Sequence, residues 1–137
     1  MMPAFGFQEH EHTADWELGV WAPDLPGLLE QSARGMYALS GMQIQDGLRQ
    51  SHSISLHGED METLLVRFLT ELLWLEQEKG LGFDEFSIVV DSQNNLHAML
   101  GGSVITKLDK EIKAVTYHNL AVETNQSGLR VTIVFDV

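Results

Sequence analysis

Three stretches set ionisable side chains beside segments with the apolar pattern of buried strands. They are His12-Thr13-Ala14-Asp15, the run Lys113 to His118, and the closing Phe135-Asp136-Val137. A charge taken out of water is costly unless it is paired, hydrogen-bonded or ligated. Such residues meet one another or a metal, and we read the three stretches as one composite site. Asp136 and the terminal carboxylate of Val137 supply hard oxygen atoms within two residues, and Asp15 adds another at the head of an apolar strand. That donor set suits Ca2+, Mg2+ or Mn2+ better than zinc. A local turn or cap built on the Asp15 side chain is the plainer alternative.

Lys113 opens an apolar run in which it can pair with Asp15 or Asp136, hold a phosphate, or simply lie along the surface with its ammonium in water. His118 has the opposite strand parity, so a shared site requires a bulge or the end of the strand between them. Glu71 sits among Leu69, Leu72 and Leu73 on a helical pattern, and periodicity allows it a polar pocket or an exposed helix face. His10 and His12 share one face of a strand, either as a two-histidine metal arm or as exposed side chains. Gly101-Gly102 has no phosphate-loop pattern around it and reads as a bulge or bend. No Gly-x-Ser-x-Gly, His-Glu-x-x-His or EF-hand loop occurs.

The elements that must position these groups follow from periodicity. Residues 16–22 alternate as an early strand. Asp24 caps a helix that carries Leu28, Leu29, Ala33, Met36, Tyr37 and Leu39 to Gly41. Residues 50–57 alternate again, and a wide apolar face from Asp60 to Glu78 defines a second helix stopped by Gly80 and Gly82. The remainder is β. Phe86–Val90 meets Leu96–Leu100 across Asn94-Asn95, and residues 112–123 pair with 129–136 about Asn125 to Gly128. The expectation is an α+β fold in a single domain, residues 1–137, with antiparallel β-sheets and two main helices packed against them.

Eight basic residues against 20 acidic ones give a formal charge of −12 and exclude the basic footprint of a protein that grips nucleic acid by itself. A divalent cation or a basic protein partner fits that charge. No apolar stretch is long enough to span a membrane and no signal-peptide pattern occurs, so a cytoplasmic protein is expected. The absence of cysteine excludes thiolate zinc sites and a cysteine nucleophile.

The chain resembles the archease family. The resemblance lies in His12-Thr13-Ala14-Asp15, Leu69-Thr70-Glu71-Leu72-Leu73-Trp74-Leu75, Ile112 to His118 and Val134-Phe135-Asp136-Val137, in order and across essentially the whole chain. It implies a non-catalytic activator of the GTP-dependent RNA ligase of tRNA splicing and RNA repair. Such a protein speeds GMP transfer to the ligase's active-site histidine, supports multiple turnover, and meets RNA only through the ligase. It further implies a metal site at Asp15, Asp136 and Val137, a functional Lys113, and family-typical positions for Glu71, His12 and His118. Two other readings stay open: a free-standing metal-dependent phosphohydrolase and a chaperone-like module for RNA-modifying enzymes.

Overall fold

A computed structural model describes residues 3–11 and 16–137. The alternation about Leu18 and Val20, neither of which exposes any surface, forms β2 (Trp16–Ala22). On one side β2 pairs antiparallel with β1 (Gly6–Glu11), and on the other with β9 (Gly128–Asp136). Two short strands, β7 (Ala114–Val115) and β8 (Glu123–Asn125), flank the opposite edge of β9.

The second sheet is centred on the long β6 (Asn95–Lys107). β5 (Leu81–Val90) runs along one side of it, while β4 (Gln50–His57) and β3 (Gln43–Ile44) share the other. The β5–β6 hairpin has the expected register, with Phe86 opposite Leu100 and Val90 opposite Leu96, and both strands run on beyond it. Its turn places Asn94 at φ 58°, a conformation asparagine tolerates. The two glycines mark a bulge, because the ladder shifts between Phe83 and Glu85 where they face Gly102 and Gly101. A Cβ on Gly102 would collide with the main chain of Gly82 and Phe83, so only glycine allows that approach.

Two helices complete the fold. In α1 (Leu25–Ser40) the Asp24 carboxylate accepts the Gly27 N–H at 2.8 Å, and in α2 (Met61–Lys79) Asp60 accepts the Thr63 N–H at 2.7 Å. Each helix ends on a left-handed glycine, Gly41 and Gly80. Gly82 does not stop α2; it lies inside β5, because the cap at Gly80 already turns the chain. α1 packs on β1, β2 and β5, and α2 on β4, β5 and β7, so both helices feed a core reaching both sheets. The architecture is the expected α+β arrangement.

One expected strand is broken. Residues 112–123 are not continuous β. After Val115 the Thr116 hydroxyl and N–H both donate to the Val134 carbonyl, at 3.0 Å each, and Asn119 turns the chain at φ 51°. The Val122 N–H then donates to the Glu62 carboxylate on α2 at 2.7 Å, which takes the segment off the sheet before β8 rejoins it. No helix among the described residues is long and apolar enough to cross a membrane.

Candidate functional site

Sheet register creates a junction at one end of β9. Trp16, the residue after Asp15, pairs with Phe135, the residue before Asp136. On the other edge Ala114 pairs with Asp136, and the Lys113 N–H donates to the Asp136 carbonyl at 2.8 Å. Phe135 is fully buried and anchors the junction, while Asp136 is exposed and Val137 is half-buried against the core. Lys113 and Asp136 are therefore fastened together through their main chains. Both side chains are exposed, and neither has an ion-pair or hydrogen-bond partner among the described residues.

The other candidates stand differently. His12 and Asp15 lie outside the described residues. His118 follows the break in the strand, with its N–H 3.3 Å from the Thr116 hydroxyl and its imidazole exposed beside Asn119. The strand ends at Val115, between Lys113 and His118. Glu71 is half-buried on α2, the helix that β7 packs against, and no hydrogen bond joins it to Lys113 or Asp136. His10 is exposed and lays its ring over Gly19.

The exposed, unpartnered Asp136 carboxylate suits one ligand position of a hard cation. No group of three His, Asp or Glu among the described residues is placed to hold an ion, so the described part fits such a site only in part. A cavity of about 580 Å³ lies elsewhere. It is lined by Trp21, Leu129 and Arg130 at the opposite end of the β2–β9 ladder.

Sequence periodicity missed the strap that delivers Lys113. The Asp109 and Lys110 N–H groups both donate to the Ser40 carbonyl, at 2.9 and 3.1 Å, and Ile112 is buried. Between these anchors the Lys110 ammonium sits 4.5 Å from the ring centre of Trp16, a cation–π contact at the edge of the junction. Also missed was Glu76, buried on α2. Desolvation first, and then the charge of Glu111 on the strap, push its carboxyl up to about 7. Burial, with Glu76 second, holds the Tyr37 phenol well above its usual range. Neither Lys110 nor Glu76 carries a local sequence signal; each depends on a partner distant in the chain.

The model of the archease protein family (MTH1598/TM1083) matches residues 7–137. The archease of Pyrococcus furiosus is 28% identical over 129 residues, covering 89% of this chain and 91% of that protein. An archease-like protein of Dictyostelium discoideum is 28% identical over 142 residues, covering 96% and 93%. Among solved structures, protein 1598 of Methanobacterium thermoautotrophicum superposes with a TM-score of 0.73 at 22% identity, covering 96% of this chain and 99% of that one. The Thermotoga maritima archease, described as a possible chaperone, gives 0.67 at 24% identity, covering 100% and 97%.

Proposed function

This chain belongs to the archease family, and from that premise we propose that it activates a GTP-dependent RNA ligase of tRNA splicing and RNA repair. Bond formation remains with the ligase, and RNA is met only through it. The observation that carries the reading is the main-chain bond between Lys113 and Asp136, which holds the two residues at one exposed end of the β2–β9 ladder.

In this reading Asp15, Asp136 and an oxygen of Val137 hold a divalent ion, Ca2+, Mg2+ or Mn2+. When bound, the ion supplies positive charge to phosphate oxygens. The Lys113 ammonium adds a point charge whose attraction strengthens as negative charge develops on the leaving pyrophosphate, so it acts on the rate of guanylylation. Glu71, His12 and His118 stand at family-typical positions and are counted with Lys113 among the residues of activation. A formal charge of −12 steers the chain toward a basic cleft that has evolved to hold triphosphate and RNA.

Lys113→Ala is expected to reduce stimulation of ligase guanylylation by at least about tenfold while leaving ligase binding intact, with Lys113→Arg restoring part of the loss. Stimulation by Lys113→Ala at the wild-type level would overturn the assignment. The description of the Thermotoga protein as a possible chaperone favours one second reading. On that reading the chain raises the yield of folded ligase, and neither Lys113 nor Asp136 matters.

A further inference from the structure

The second sheet turns one face away from the core, and that face carries a histidine pair. On β4 and β6, Ile54, Leu96, Ala98 and Leu100 are buried, whereas Ser55, His57 and His97 alternate with them and are exposed. His57 lies opposite Asn95 and Ser55 opposite His97, so the two imidazoles are diagonal neighbours on the same face. Both line one depression of about 410 Å³, together with Ser55, Arg67, Asp91 and Asn95.

Hydrogen bonds set the state of the His57 ring. Asp91 accepts the N–H groups of Gln93 and Asn95, at 2.9 and 3.0 Å, and its second oxygen accepts the Asn95 side-chain N–H at 3.0 Å. With its nitrogen committed to Asp91, the Asn95 amide turns its Oδ1 to His57 Nδ1 at 2.9 Å. That oxygen only accepts, so Nδ1 carries the proton and the neutral ring presents a lone pair on Nε2. Metal-bound imidazoles are oriented in this way, the far nitrogen donating to an acceptor that is itself held by a carboxylate. His97 Nδ1 is 2.9 Å from the Ser55 hydroxyl, which accepts a proton as readily as it donates one. Neither Nε2 has a partner within the described residues.

Anion binding is the competing use of this depression, since Arg67 lines it. The guanidinium is already engaged by the His57 carbonyl, and the Asp91 carboxylate lines the same space and offsets its charge. We propose that His57 and His97 form a two-nitrogen site for a borderline divalent transition metal, Zn2+, Cu2+ or Ni2+. No third His, Asp or Glu completes a group around an ion among the described residues, so the remaining positions fall to water or to a partner's donor. Imidazole ligands select a different metal class from the carboxylates near Asp136, which keeps the two sites chemically separate.

Zn2+ titrated into the full chain near pH 7.5, followed by calorimetry and by imidazole 15N spectra, tests this. One ion is expected to shift Nε2 of both His57 and His97 while each Nδ1 remains bonded as before. His57→Ala and His97→Ala should each weaken that binding at least tenfold, and Asn95→Ala about tenfold through the lost orientation of His57. His12→Ala and Asp136→Ala should leave it unchanged. Zn2+ that moves only His10 and His12, unchanged affinity in the folded His57→Ala and His97→Ala variants, or inorganic phosphate moving these rings where Zn2+ does not, would overturn it.

Discussion

Glu76 exposes only 7% of its surface on α2, a helix otherwise buried through apolar side chains. Burial, and then repulsion from Glu111, raise its carboxyl from 4.5 to about 7. The folded chain therefore holds this proton more tightly than the unfolded chain does. Its contribution is most favourable below about pH 4.5 and is lost as pH rises toward 7, where ionisation costs up to about 3 kcal/mol. Glu76→Gln, which has no proton to lose, should match the wild type near pH 4.5. It should exceed it by about 1–3 kcal/mol at pH 8, read from urea unfolding at the two pH values. A stability gap independent of pH would contradict the assignment. None of this is legible in the sequence, where Glu76 follows Leu75 as an ordinary helix glutamate; its partners lie on α1 and on the strap before Lys113.

At the scale of elements, local signals were legible and distant partners were not. Both helix starts follow from Asp24 and Asp60, whose side chains reach N–H groups three residues on. Asp60→Ala should lower the denaturation midpoint with an unchanged denaturant slope, because the Thr63 N–H loses its acceptor. An unchanged midpoint would mean that the cap carries little of the stability of α2. The bulge was equally legible from Gly101-Gly102, since paired glycines in a strand mark a close approach. What fills it was not: the bulged Asp84 gives its carbonyl to Arg34 and its carboxylate to Arg49, far off in sequence. Residues 112–123 misled because their apolar alternation is real. Val134 and Glu62 nevertheless capture Thr116 and Val122, and those long-range bonds override the strand pattern.

Over the whole molecule, the pairing of β2, β9 and β7 is what turns separated motifs into neighbours. The sequence supplied the residue types at Lys113, Asp136 and Val137 and the resemblance that grouped them, while the register placed Lys113 against Asp136. Asp15 and His12 lie outside the described residues, Glu71 and His118 are not bonded to the junction, and the family resemblance is what groups them with it. The central claim is that this chain activates its ligase through a metal-bearing tip. The direct test is ligase guanylylation and multiple-turnover RNA joining, with and without the chain, using wild type and Asp15→Ala at matched ligase concentration. The account predicts strong stimulation by the wild type and its loss, at least about tenfold, in the variant. No stimulation, or stimulation that survives in Asp15→Ala, would contradict it.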